Sequence, residues 1–539
     1  MTASALLEMP PSEAVSASPA PPPSLHLLET QPALADASDE EPSELVHART
    51  LAESHSSSAI VQARLAQALH CYGRTAEAVK VASHAAMLGR DTDPSAVTMA
   101  ALVLLTGGEL ASAESVLGRQ STPTARFIFA LCAVHRMDYD KAFARLKDLK
   151  SYEARSLAGW LHLQRFEFRE AVHAYREALE VGEATPDVMV NLAYSHASIG
   201  NKRAAARAAA VAVGLAPADR LASMNLLLAR MNCGDVEGAL EESTRIERRN
   251  PNDLMLPIAR FAVLKQSGRT KEAYRVVRSL RNERSFWNAP DNERAELKGL
   301  LTVIDLQQGK IDKNTARKHL QKLLVDSDFQ QLTAARALTC LYSRHSEAGL
   351  VGELVDQLAQ HHRPERIYWA KARLAFLELD FESSLELARK WLLVEPLDPA
   401  AASHVQYLLT DYSREYSEAI AVGKRFLRRQ SEREIVLNNT AYAMIMAGQT
   451  SEARVLLSEA LESPMSIATE GLLSIREGRR KEGSRLYDLA AKMAKSTGDS
   501  EVALLLMARK LVALGEDPSG AQFSALRDDA RFLVMTRGG

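Results

Sequence analysis

Apolar and small residues along this chain recur at spacings of three and four, in runs of about a dozen, and the runs come in pairs separated by a short turn. The first run of each pair carries small or apolar residues, a Gly or other turn-compatible residue follows, and the second run opens on a Glu-Ala or similar pair. Residues 155 to 182 show the pattern: Gly159, Ala171 and Ala178 fall where two antiparallel helices must approach closely, with His162 and Tyr175 at the larger positions beside them. The next pair repeats it with Leu192, Ala193, Gly200, Ala205 and Ala212, and ends at Pro217. Pro251 closes the following unit in the same way, since proline cannot continue a helix.

The period fixes the architecture. Gly200, Gly234 and Gly268 stand 34 residues apart, and each is followed five positions later by Ala205, Ala239 or Ala273. A constant interval of that size predicts stacked helical hairpins, each touching only its neighbours, in place of several compact domains. Extending the turn position along the chain gives Gly73, Gly108, Met137, Phe166, Gly200, Gly234, Gly268, Gly309, Leu379, Arg414, Gly448 and Gly478. The alanine after the turn recurs at Ala78, Ala113, Ala142, Ala171, Ala205, Ala239, Ala273, Ala419 and Ala453.

On these residues the chain resembles the tetratricopeptide repeat family over roughly 56 to 495. The resemblance implies an all-α, right-handed superhelical solenoid of helix-turn-helix repeats. The expected organisation is an acidic Pro/Ser/Ala-rich disordered leader over 1–54, an N-terminal array over 55–285, an irregular helical segment over 286–366, a C-terminal array over 367–515 and a capping helix or tail over 516–539. The irregular segment is expected because the spacing stretches there and Ala316 sits two places beyond its position. Near the end Gly483 replaces the alanine, and 504–517 reads as a capping hairpin that solvates the last face.

The leader differs in composition. Residues 1–54 hold eight of the 20 prolines and nine acidic residues against the single Arg49, so they bury too little apolar surface to offset ordering. The whole chain balances 66 Lys and Arg against 68 Asp and Glu, a net charge of -2, which provides no field for a polyanion and disfavours nucleic acid. Cys71, Cys132, Cys233 and Cys340 lack metal or disulfide spacing, which suits reduced thiols in a reducing compartment. The opening residues carry no basic region ahead of an apolar stretch, and the run at 101–106 is far too short to cross a bilayer. A cytoplasmic protein without membrane insertion is expected.

No phosphate-binding glycine loop, zinc-protease helix or nucleophile elbow occurs. His345, His361, His362 and His404 are the densest histidines, and no carboxylate or thiol recurs beside them at ligand spacing. No catalytic residue, metal site or cofactor is therefore predicted.

Recognition has better candidates. In the resembled family the sixth position of the first helix faces the inner groove, where an asparagine bonds a bound peptide backbone. Counted nine back from the turn, that position is Asn191, Asn225 and Asn439 here, with Leu157, Ala259, Ala370 and Val405 in other repeats. Tyr194 and Tyr442 lie three residues after two of these asparagines, and Asn232 seven after the third, on the same helical face. The expectation is a non-enzymatic adaptor that takes a peptide or helical segment of a protein partner on these six residues; the asparagines equally suit bonds to a neighbouring helix. A helical-repeat RNA binder and a regulatory or secretion-associated chaperone are the alternatives.

Overall fold

A computed structural model of the 539-residue chain describes residues 42–249, 255–267, 269–280, 291–396, 398–429, 434–496 and 499–537. The chain divides into two compact units, 19–195 and 196–539. Among the described residues both are helical throughout, and the one β-bridge joins Arg344 to Asp529.

The hairpins are built alike. Pro94–Thr106 with Leu110–Leu117, and Tyr152–Gln164 with Phe168–Val181, are N-terminal examples; Pro399–Asp411 with Tyr416–Arg429, and Pro464–Arg476 with Arg480–Ser496, are C-terminal ones. First helices are sandwiched: Pro94–Thr106 buries eight side chains on all sides. Second helices bury one stripe and face water elsewhere, as Tyr139–Leu146 does with only Ala142 and Leu146 buried. Side-chain caps at Asp93, Thr122, Ser151, Asp398 and Ser463 hold the first turns of first helices, with proline at the helix start in four of these five.

Most hairpin turns are a left-handed residue closing a Schellman motif. At one of them Met137 N donates to Val134 O at 2.8 Å and Asp138 N to Ala133 O at 2.9 Å; Gly200 and Asn201 repeat the two bonds onto Ala197 and His196, both at 2.8 Å. The turn between Leu332–Cys340 and Ala348–His361 has no left-handed residue, and at Arg414 the closing bond runs from Glu415 N to Leu409 O at 2.7 Å. All eleven described turn positions have positive φ, from 58° at Met137 and Arg414 to 89° at Gly108. Gly268 lies outside the described residues. The four positions that are not glycine, Met137, Phe166, Leu379 and Arg414, adopt the same backbone, so the closure geometry dominates over side-chain preference. The alanines five residues on are all buried, eight of nine at 0% exposure and Ala205 at 2%. Ala316 is buried too, and it is the fourth residue of Lys313–Asp326 just as Ala78 is of Thr75–Gly89, so the extra two residues enlarge the turn and leave the contact in place. At Gly483 the two helices touch backbone to backbone: a Cβ there would lie 2.4 Å from Gly471 O.

The leader requires a correction. Residues 1–41 lie outside the described ones, but Ser43–Ser54 is a helix, with Leu45 and Ala52 buried at 0% and 2%. Tyr72 donates to Glu44 at 2.7 Å, and Arg49 forks onto both carboxylate oxygens of Glu77. A short helix with one apolar stripe and two polar anchors packs on the first described hairpin. Acidic composition averaged over 1–54 conceals it. The 286–366 stretch keeps its helices, Asp291–Gln307, Lys313–Asp326, Leu332–Cys340 and Ala348–His361, around a turn containing the short 3-10 helix His345–Glu347. In the last segment Ser500–Leu514 ends at a left-handed Gly515, and a 3-10 turn, Ala521–Leu526, leads to Ala530–Arg537.

Candidate functional site

The structure corrects the groove assignment of the asparagines. Asn191 is 1% exposed and Asn225 5%, and the same hairpin position is equally closed at Leu157, Ala259, Ala370 and Val405, none above 1%. The position lies in packed interior. Asn225 Nδ2 donates at 2.9 Å to Leu221 O of its own helix. Asn191 has no hydrogen bond of normal geometry on either amide atom, and neither has Tyr175 Oη. Burial holds that phenol well above its usual range, with the neighbouring Asn191 amide acting in the opposite direction. Half-buried Asn439 donates to Ser403 Oγ at 2.9 Å, in the first helix of the preceding hairpin, and the half-buried Asn232 leaves its Oδ1 unpartnered. The six candidates are not one open ladder. Tyr194 is half-buried, its ring edge-on to Phe168 at 6.0 Å, and Tyr442 belongs to a different constellation.

That constellation is made by the chain's own end. Within the C-terminal unit, Ser500–Leu514 and Ala530–Arg537 reach residues about 100 to 190 positions earlier, on first helices, at the start of Lys313–Asp326 and in the turn at 343–346. Arg509 pairs with Asp411, and its guanidinium stands 5.2 Å from the Tyr442 ring and 5.9 Å from that of Tyr407. Burial works against the Arg509 cation, but Asp411 and the surrounding phenols hold it charged, raising it well above the usual arginine range. Burial and the Asp411 charge push the Tyr442 and Tyr407 phenols up, and burial pushes Tyr487 up to about 12. At the head of the segment Glu501 takes Lys313 and Arg344, each at 3.2 Å.

The last residues are held by main-chain pairing. His345 N donates to Asp528 O at 2.8 Å and Ala530 N to Ser343 O at 3.0 Å, flanking the Arg344–Asp529 bridge. Ser346 N donates to Asp528 Oδ1 at 3.2 Å, and Tyr407 Oη to Arg531 O at 3.3 Å. Buried Asp529 accepts from Arg531 at 2.6 Å, and Phe523, Leu526 and Phe532 pack on Leu505 and Ala508. The sequence pattern alone predicts a cap over 504–517. The missed signal is Arg509 itself, a cation within the apolar run from Leu504 to Leu511, which needs a buried anion opposite.

Two further polar clusters are internal. Arg336 sits between Trp369 and Trp391, its carbon 5.2 and 5.4 Å from the ring centres. It donates to Asp398 at 3.0 Å and to both Glu395 oxygens at 3.2 and 3.0 Å. One cation faces two carboxyls: burial and the Glu395 charge push Asp398 up to about 8, while Arg336 overcomes burial and holds Glu395 below its usual range. Ser384 and His404 lie 3.0 Å apart, but both are sealed in the interior and Ser384 Oγ already donates to Ala372 O. Burial drives His404 down to about 3, so the pair is neutral packing and not an activated nucleophile. His345 and His362 bond the carbonyls of Leu377 and Phe329, and no group of three metal-ligating side chains occurs among the described residues.

No protein-family profile matches the sequence, and no curated protein matches it. Among solved structures the chain is similar to one in the crystal structure of the APC/C hetero-tetramer Cut9-Hcn1, at 13% identity and a TM-score of 0.38, covering 92% of this chain and 96% of that one. The repeated left-handed turns and buried alanines define the fold by themselves. It is a tetratricopeptide-like, all-α solenoid. No helix among the described residues is long and apolar enough to cross a membrane.

Proposed function

We propose that the chain is a non-enzymatic interaction scaffold that holds a segment of a protein partner against the first helices of its hairpins. The observation that supports this most is the seating of its own residues 500–537, by a buried Arg509–Asp411 pair, main-chain bonds to 343–346 and phenol contacts from Tyr407 and Tyr442. A surface of first-helix side chains and one turn that accommodates a polypeptide segment in this way combines backbone recognition with charged and aromatic anchors. Of the six residues expected from sequence, Tyr442 and Tyr194 are the contact candidates, both half-buried and aromatic. Asn191 and Asn225 are interior packing residues.

The test places a photo-crosslinking phenylalanine analogue at Tyr442 and, separately, at Tyr194 in the full chain inside its host cell. The reading expects a discrete adduct with a second protein, mapping to one short segment. Adducts confined to this chain at both positions would remove the scaffold assignment.

A further inference from the structure

We infer that residues 521–537 are a releasable clasp: an internal ligand occupying the face formed by 343–346 and Tyr407, which a partner segment displaces. The inference rests on the scaffold reading above and adds regulation to it.

The contacts resemble those between a receptor and a ligand more than those between successive repeats. Repeats here join through buried small side chains, whereas 528–531 meets 343–346 through two antiparallel main-chain bonds and the Asp528 carboxylate, which takes Ser346 N at Oδ1 and Ser346 Oγ at Oδ2. This is addition of an extended segment to a short exposed edge, a mode that gives affinity through the backbone and selectivity through flanking side chains. Asp529 and Arg531 satisfy each other on the segment, with Arg531 N also bonded to Asp529 Oδ1 at 2.8 Å, so the two residues travel as a preformed unit. The face contributes to it the Ser343 and His345 backbone and the Tyr407 hydroxyl, and the Glu501 carboxylate stands 4.0 Å from the Arg531 guanidinium. Between clasp and solenoid lie Gly515, with φ of 78°, and the irregular residues 516–520, a linker that leaves Ser500–Leu514 packed while the clasp lifts. A competitor fitting this face is an extended acidic-acidic-x-Arg segment leading into a helix with aromatic residues on one side.

The experiment uses the full chain, a fluorescent peptide of residues 516–539, and the variant Asp528→Ala/Ala530→Pro. Proline is tolerated at the first position of a helix, so Ala530→Pro removes the donor to Ser343 O without breaking Ala530–Arg537. With its resident clasp weakened, the variant is expected to bind the peptide at least tenfold more tightly than the unaltered chain, and Tyr407→Phe in the variant is expected to reduce that binding. Hydrogen exchange should rise over 521–537 and stay unchanged over 464–496. Two outcomes would overturn the inference: equal or absent peptide binding in both chains, or exchange rising together across 332–496, which would make the segment an inseparable part of the core. Cellular adducts at Tyr194 accompanied by no peptide binding would sink the clasp and leave the scaffold standing.

Discussion

Replacing Arg336 with leucine tests whether the C-terminal hairpins are tied together by one buried cation. Its side chain is 3% exposed, between two tryptophans, and it is the counter-ion of Glu395, at 22%, and the hydrogen-bond donor to Asp398, at 2%. Leucine fills part of the slot but leaves buried carboxyls without their cation, a change that costs about 3–5 kcal/mol. The loss should concentrate in the hairpins it links, since repeat arrays respond locally and a single whole-chain unfolding energy is poorly defined for them. At about 1.4 kcal/mol per decade, protection of the slow amides in Phe381–Val394 and Pro399–Asp411 should fall by about two to three and a half orders of magnitude. Native-state hydrogen exchange followed by mass spectrometry reads this directly. Arg336→Lys should lie between, because an ammonium keeps the charge and loses the fork. Adding Glu395→Gln and Asp398→Asn to Arg336→Leu should recover most of the loss, because no buried charge then remains. Unchanged protection in these two helices, or no recovery in the triple variant, would refute the reasoning.

Three further outcomes follow from other parts of the molecule. Asp398 has a folded value of about 8, above its unfolded value of 3.8, so its contribution is complete below about pH 4 and is lost as the pH rises towards 8; chemical denaturation between pH 5 and 8.5 should show the C-terminal transition weakening, and Asp398→Asn should flatten that slope. Gly483→Ala should cost about 1 kcal/mol, since a Cβ 2.4 Å from Gly471 O and 2.6 Å from Ile475 Cγ1 overpacks by about 1–3 kcal/mol against a propensity gain of about 1 kcal/mol. Gly352→Ala, whose Cβ would meet only Leu374 Cδ1 at 3.9 Å, should instead stabilise slightly, and equal signs in thermal melts would contradict the packing argument. Met137→Gly should raise stability by about 0.5–1 kcal/mol, because its side chain is 71% exposed and its φ is 58°, so relief of left-handed strain exceeds the entropy glycine adds; a lower melting point would show that Met137 is not strained.

The hairpin grammar was legible because it is enforced locally. A left-handed turn and an alanine at the closest helix approach leave the same mark in most units, even where Met137 or Arg414 stands in place of glycine. Which neighbour a side chain meets was not legible. The position of Asn191, Asn225 and Asn439 reads as a groove only if nothing covers it, and Leu157, Ala370 and Val405 at the same place show how closed it is. Sequence periodicity reports burial but carries no information on the burying partner. The same limit hid the terminal segment, whose contacts span 98 residues from Arg509 to Asp411 and 188 from Glu501 to Lys313. It also hid Ser43–Ser54, where charge averaged over a long leader outweighed one apolar stripe.

A reversible lock on the clasp tests the account most directly. Arg344 and Asp529 face each other with their main-chain bonds on either side, the pairing in which antiparallel Cα atoms stand about 4.5 Å apart, within reach of a disulfide. In the full chain carrying Arg344→Cys/Asp529→Cys and a photo-crosslinker at Tyr407, which the clasp covers, oxidation should abolish adducts with a partner protein and reduction should restore them. Adducts of equal yield in the oxidised and reduced chain would contradict the account.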